Sequence, residues 1–433
     1  MQQKQRGLMR SVRTVVGVAA LLAGTPLLTT SQALHAQGHP VCAPDNAGLT
    51  LPPGFCALIV ADQVGPARHL TVAPNGDVFV ALGGGRQPGG GGGGGILVLR
   101  DTDGDGAADI QRRFGGGSGD DVEFRGDYLY YSTNDAIMRY PWRAGAMEPS
   151  GEADTIVSGL PATRSHRSKS IAFGAGGALF VNIGSPSNVC TGESGQPDPC
   201  RQLETRAGIW RFDADRIGQR QADGRRYATG LRNTVALASR PHDGGLYGVI
   251  HGRDALGSWD PFDDHYNAEN PAEEFVRIED GDDVGWPYCY YNPETKRKLL
   301  GPEYGGDGQR QGRCAQMKNP LMAFPAHWAP NGLLFYDGDQ LPSRYKGGAF
   351  VVFHGSWNRA PLPQAGYKVV FAPFEGDDPT GEWEIFADGF GGEEPSPRGS
   401  PHRPVGIAEG PDGSLYVSDD RGGRIYRIVY RGR

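Results

Sequence analysis

The chain has 433 residues, with Gly 68, Pro 33, a hydrophobic fraction of 38% and a formal charge of −7. That acidic balance excludes a nucleic-acid footprint. The Gly and Pro content, with many short Val/Leu/Ile/Phe/Tyr runs and no sustained 3.6-residue apolar period, excludes a helical enzyme and fits an all-β protein with long loops.

At the N-terminus Lys4, Arg6, Arg10 and Arg13 precede an apolar run over 15–28. Small residues follow in "TSQALHAQ", where cleavage is expected after Ala33 or Ala36. The run is too short to span a bilayer comfortably. Residues 1–36 therefore read as an export signal and 37–433 as one domain, periplasmic or secreted, with no membrane anchor. In that oxidising setting the six cysteines read as disulfides. Several pairings are open, and proximity favours Cys42–Cys56, Cys190–Cys200 and Cys289–Cys314. No CxxC spacing marks a metal site, and no CxxCH attaches a haem.

One hairpin recurs along the chain: an apolar strand, a turn containing Gly, then a strand rich in Leu, Val, Phe and Tyr. It reads "HLTVAPNGDVFVALGG" from His69, "DVEFRGDYLYYSTND" from Asp121 and "SIAFGAGGALFVNIGS" from Ser170. It returns as "TVALASRPHDGGLYGVIHG" from Thr234, "APNGLLFYDGD" from Ala329 and "VGIAEGPDGSLYVSDD" from Val405. Third strands such as "GILVLRD", "GIWRFDAD" and "RIYRIVY" follow several copies. Sheets this small cannot bury both faces alone, and packing them radially solves the problem. The copies predict a six-bladed β-propeller with four-stranded antiparallel blades, and "GFCALIVADQV" supplies the strand that closes the ring. A β-sandwich or two separate domains is the other arrangement.

Between the first two copies, "GGGRQPGGGGGGG" has no helix after it and reads as a linker-like loop rather than a phosphate cradle. "DTDGDGAAD" then sets Asp101, Asp103, Asp105 and Asp109 at positions 1, 3, 5 and 9 of an EF-hand-like calcium loop. Position 12 is Arg112, so the bidentate glutamate is missing, and an Asp-Gly hairpin turn explains the same residues.

In a propeller the chain enters each innermost strand and leaves the next on the same face, so residues far apart in sequence converge at one mouth. The segments leading into these strands carry Arg68, His69, Asp120, Asp121, His166, Arg232, Asn233, His327, His402 and Arg403. The segments leaving second strands read "IGSPSN", "VIHGRD", "HGSWNR" and "SDDRGG". A mouth this rich in His, Arg and Asn suits an anionic ligand gripped by Arg232 and Arg403, with one histidine left to move a proton.

Together "HRSKSIAFGAGGALFVNIGS", "GLRN", "IHGRD", "EEFVRIEDGDDVGWPYCYY", "HGSWNR" and "HRPVGIAEGPDGSLYVSDD" resemble the soluble sugar dehydrogenases that depend on pyrroloquinoline quinone (PQQ), in their sorbosone and aldose dehydrogenase-like branch. The resemblance covers residues 51–430. It implies that His166 is the general base and that Arg232 and Asn233 bind PQQ near its reactive carbonyl. Arg403 would pair with a PQQ carboxylate, with His251, His402 and Asn358 as further cofactor-side candidates. Backbone carbonyls of the stretch holding Gly252 and Arg253 would help hold a calcium ion. His166 must be neutral to act, and neighbouring Arg167 and Lys169 would favour that form by like-charge repulsion. The implied reaction oxidises a sugar, a sorbosone-like aldehyde or a related alcohol. Electrons would pass to an external acceptor (dye, quinone or cytochrome), since no haem site is encoded. The chain departs from the best-known branch at Ser165 and Ser185, where that branch carries aspartates. Two other readings stand beside this one: a metal-dependent sugar lactonase-type hydrolase and a non-catalytic interaction propeller.

Overall fold

The computed structural model describes residues 40–84, 93–162, 164–190 and 197–432. The expected export signal, Arg86 and most of the Gly-rich stretch lie outside them. Contacts divide the chain into 1–36 and 37–433, and the propeller is the second unit.

Six antiparallel sheets of the expected kind form among the described residues. Blade one runs Ala67–Val72, Val78–Leu82, Gly95–Arg100 and Ile110–Phe114 from the axis outward. The innermost strands of the next blades are Gly119–Arg125, Ile171–Gly174, Ala236–Ser239, Pro330–Phe335 and Pro404–Glu409. Each packs against its two neighbours, so the ring closes around an axis. Phe55–Ala61 completes blade six by pairing with Ile425–Tyr430, Phe55 opposite Tyr430, and so ties the two ends of the domain together. All three expected disulfides are present.

The middle strands read as unbroken apolar runs because blades stack on both of their faces. Val78–Leu82 and Ala349–Phe353 are buried at every residue, whereas the outermost Ile110–Phe114 is mostly exposed and carries Gln111, Arg112 and Arg113. Charge on an edge strand blocks pairing with another chain. Aromatic rings fill the wedges between blades: Phe350 meets Phe371, Phe386 and Tyr345 with centroids 4.8–5.7 Å apart. Burying each such side chain contributes about 1.5–3 kcal/mol.

Two features were not expected. Gln219–Arg220 adds a fifth, parallel strand to blade two by pairing with its outer strand. A short helix, Asp264–Glu269, forms in the insertion of blade four, where the Asp263 carboxylate accepts from the Tyr266 backbone N–H at 2.7 Å. No helix among the described residues is long and apolar enough to cross a membrane.

Candidate active site

The lead-in to the innermost strand of blade three places His166 at the mouth in a left-handed backbone, φ 46°. Its close neighbour is Gly184, just past the second strand of the same blade. A Cβ on Gly184 would come within 2.6 Å of both the Cβ and the carbonyl oxygen of His166, so this approach requires glycine. The imidazole Nδ1 lies 2.8 Å from the Ser185 carbonyl oxygen and 3.0 Å from Ser185 Oγ, while Oγ donates to the Ser187 carbonyl at 2.7 Å. A carbonyl only accepts, so Nδ1 carries the proton and Nε2 keeps its lone pair. Nε2 has no protein partner among the described residues, and the ring lines the cavity at the mouth. Burial first, and then the charge of Arg232, push its pKa down to about 3. The ring is therefore neutral, but not for the reason expected from sequence. Lys169 turns its ammonium back to the Arg167 carbonyl at 2.8 Å, and Arg232 supplies the repulsion.

Arg232 and Asn233 are stitched between two blades. The Ser185 N–H donates to the Arg232 carbonyl at 2.8 Å, and the His251 N–H to the Asn233 carbonyl at 2.9 Å. Asn233 Oδ1 accepts from Asn182 at 3.2 Å. The buried Arg232 guanidinium donates to the Gly252 carbonyl at 2.8 Å, to Asn188 Oδ1 at 3.0 Å and to Asp254 Oδ2 at 2.8 Å. Burial works against the Asp254 charge, but Arg232, His327 and Asn358 outweigh it and hold the carboxyl below its ordinary range. His251 donates from Nε2 to the Pro330 carbonyl at 2.8 Å. Burial is the main cause that brings its pKa down to about 4, with Arg232 adding to it.

Arg403 donates to the His354 and Gly355 carbonyls at 3.1 and 2.7 Å and lies over the Tyr367 ring, 5.5 Å from its centroid. Asn358 donates to Asp254, and its Oδ1 is buried without a partner. His166, Arg232, Asn233, His251, Gly252, Asn358 and Arg403 thus share one cavity of about 740 Å³, with Trp357 exposed at its wall. Of the residues expected at the mouth, His69, Asp120, Asp121, Arg253 and His402 do not line it; His69 and Asp121 face a separate cavity further along the axis. The Arg253 side chain leaves the mouth to pair with Glu303 at 2.5 Å. His402 turns away, Nδ1 2.7 Å from Asp419 Oδ2, although the Arg403 backbone N–H next to it donates to the same carboxylate at 2.6 Å.

Sequence reading held Asn188, Asp254 and Glu273 inside its quoted motifs but gave none of them a role of its own. Asn188 and Asp254 sit in loops without periodicity, so no local pattern marks them. Glu273 did leave a signal: an acid in a buried strand, 2% exposed. It accepts from the Gly252 and Ala329 N–H groups at 2.7 and 3.0 Å, and burial pushes its pKa up to about 7. Below the mouth, Asp420 bridges His354 at 2.9 Å and Arg68 at 3.0 Å.

The EF-hand-like loop joins the outer strands of blade one on the face away from the mouth. Carboxylate oxygens of Asp101, Asp103 and Asp109 lie within 4.8 Å of one another. Asp105 is not part of that group, and its Oδ1 accepts from the Ala107 N–H at 2.7 Å.

Fold and site together define a six-bladed propeller with an arginine- and histidine-rich pocket on its axis. A protein-family profile described as TrAA12-like matches residues 49–431, and the chain belongs to that family. It is 29% identical over 293 residues to a pyrroloquinoline quinone-dependent pyranose dehydrogenase of Coprinopsis cinerea, a match covering 57% of this chain and 37% of that protein. It is also 30% identical over 213 residues to an uncharacterized protein of Borreliella burgdorferi, covering 47% of this chain and 48% of that one. The chain thus spans less than half the length of the curated relatives it matches. Among solved structures, the holo PQQ domain of the Coprinopsis cinerea enzyme superposes with TM-score 0.72 at 22% identity, over 90% of this chain and 98% of that one. A calcium structure of Trichoderma reesei family AA12 gives 0.73 at 18%, over 88% and 97%. The PQQ-bound aldose sugar dehydrogenase of Streptomyces coelicolor gives 0.53 at 17%, over 88% and 99%. At such identities these superpositions show a shared fold.

Proposed function

We propose that the chain is a PQQ-dependent sugar dehydrogenase, oxidising a sugar, a sorbosone-like aldehyde or a related alcohol and passing electrons to an external acceptor. The observation that carries the reading is the fixed tautomer of His166, whose Nδ1 proton is held by the Ser185 carbonyl while Nε2 stays free at the cavity. The cofactor is a tricarboxylate with an ortho-quinone, and the donor set fits it. Arg232 and Arg403 offer guanidiniums anchored on backbone carbonyls, and the buried Asn358 Oδ1 lacks a partner. The Gly252 carbonyl and nearby carboxylates are the oxygen donors a hard cation such as calcium takes. Bound PQQ would supply the two-electron acceptor.

The chain's own groups do the rest. His166 Nε2 takes the hydroxyl proton of the substrate as its carbon gives up hydride. The positive charge of Arg232, fixed beside that point, stabilises negative charge that develops on the acceptor. Arg403, held by two carbonyls and the Tyr367 face, orients the anionic ligand without rearranging. A lactonase would need side-chain carboxylates gathered around a metal on the axis. Among the described residues the three carboxylates whose oxygens come within 4.8 Å of one another are Asp101, Asp103 and Asp109, in the loop away from the mouth. We keep calcium as the proposed occupant of that loop also, on its three converging carboxylates.

Export fits the pairing of all six cysteines, and residues 1–36 are the proposed signal. To test the activity, the purified protein is incubated with PQQ and calcium and assayed for dye reduction with a panel of aldoses, aldehydes and alcohols. Retained quinone absorbance and turnover on at least one sugar are expected. A protein that retains no quinone and reduces no dye overturns the reading.

A further inference from the structure

The chain carries −7 overall, yet the wall of the mouth has the opposite sign. Five arginines line it, Arg68, Arg164, Arg167, Arg232 and Arg403, against two acids, Asp254 and Glu273. Both acids are already engaged, Asp254 by Arg232 and Glu273 by two backbone N–H groups. The arginines fall into two tiers. Arg68 is locked between Asp120 and Asp420, and Arg232 and Arg403 are anchored on carbonyls, which suits a cofactor that stays. Arg164 and Arg167 are exposed, and neither guanidinium pairs with an acid among the described residues. They stand two residues before and one residue after His166 and line the same cavity as its ring.

We infer that the mouth selects sugars bearing a carboxylate, of the uronic or aldonic acid class, with Arg164 and Arg167 receiving that group while His166 addresses a hydroxyl. The inference rests on the dehydrogenase reading for its chemistry but not for its charge logic. An exposed guanidinium meets a carboxylate in a forked geometry that a neutral sugar cannot match.

The test compares matched pairs, D-galacturonate with D-galactose and D-glucuronate with D-glucose, by calorimetric binding to the PQQ- and calcium-loaded protein and by dye reduction. The acid of each pair is expected to bind tighter by about tenfold to a hundredfold, the size of a charge-assisted hydrogen bond, and the ratio is expected to shrink as salt is raised. In the double variant Arg164→Ser/Arg167→Ser the ratio is expected to fall toward one while quinone absorbance is retained. Equal binding of acid and neutral sugar overturns the inference, as does a double variant that keeps the ratio or loses PQQ in its place. Preferential binding of the acids without dye reduction by any sugar sinks the dehydrogenase reading and upholds the charge selection. Turnover of neutral aldoses with no preference for the acids does the reverse.

Discussion

The axis of the propeller has two ends built from the same six strands, and they differ in almost everything else. At the mouth, loops bring in arginines, histidines and asparagines, and His166, Arg232, His251 and Arg403 are held by backbone carbonyls of their own or a neighbouring blade. At the far end lies a smaller cavity of about 280 Å³, lined by the strands themselves, where Asp121, Glu123 and Glu409 face a single histidine, His69. His69 sits at the waist between the two, Nδ1 3.1 Å from Asp121 and Nε2 2.7 Å from the Asn331 carbonyl. One end is cationic and pre-organised by hydrogen bonds; the other is acidic and contains a carboxylate with none. A strand can offer the axis only its inward side chains, two residues apart. A loop can also offer backbone N–H and carbonyl groups that fix a neighbour. That difference explains why chemistry gathers at the loop end.

The largest expected effect comes from removing the base. His166→Ala should lower kcat by about 10²- to 10⁴-fold, the usual contribution of general-base catalysis, while the protein still retains quinone absorbance. Because the ring stays neutral above a pKa of about 3, the rate should not fall between pH 7 and pH 5 on its account, which a pH profile of kcat/KM checks. Stability behaves differently. The unfolded chain takes up a proton near the ordinary value of 6.5 and the folded one does not, so acidification below 6.5 favours unfolding through His166. Thermal melts of the wild type and of His166→Asn should diverge in their slope with pH there.

Next in size is Arg232→Ala, which takes away four hydrogen bonds at once and leaves Asp254 without its guanidinium. PQQ should bind about tenfold to a hundredfold more weakly, as read by titration of quinone absorbance. An unchanged affinity would remove Arg232 from the cofactor side. Gly184→Ala probes pre-organisation directly. Its Cβ would have to displace His166, and a displacement on the order of 1 Å is enough to cost about tenfold or more in kcat. The melting temperature should also fall by a few degrees, because the clash involves the His166 backbone carbonyl as well as its side chain, and a variant with full activity would show that the close approach is not needed.

How much of this the sequence revealed follows the same division. Period-two runs with Gly turns are strand physics, local to a dozen residues, so the six hairpins and the closing strand at Phe55–Ala61 were legible. Disulfide pairing by proximity held for all three pairs. The convergence of Arg232, His251 and Arg403 could be deduced from topology alone. What stayed hidden depends on contacts between loops: Asn188 and Asp254 clamping Arg232, Arg253 leaving for Glu303, His402 turning to Asp419. The parallel pairing of Gln219–Arg220 with blade two was hidden for the same reason. The neutrality of His166 was foreseen with the wrong cause, because charge proximity in sequence says nothing about where Lys169 Nζ points.

The smallest expected effect tests the far end. Glu123 has no hydrogen-bond partner among the described residues, and burial first, then the charge of Asp121, push its pKa up to about 8 against an ordinary 4.5. Between those values the folded chain keeps a proton that the unfolded chain has lost. Stability contributed by this group is therefore complete below pH 4.5 and drains away as pH rises toward 8. Glu123→Gln keeps the shape and cannot titrate. Its melting temperature should match the wild type at pH 4 and exceed it by a few degrees at pH 8, while turnover at the mouth changes little. A variant that melts below the wild type at pH 8 would mean that the carboxylate has a partner at that end after all, and the contrast between a built mouth and an unbuilt far end would narrow.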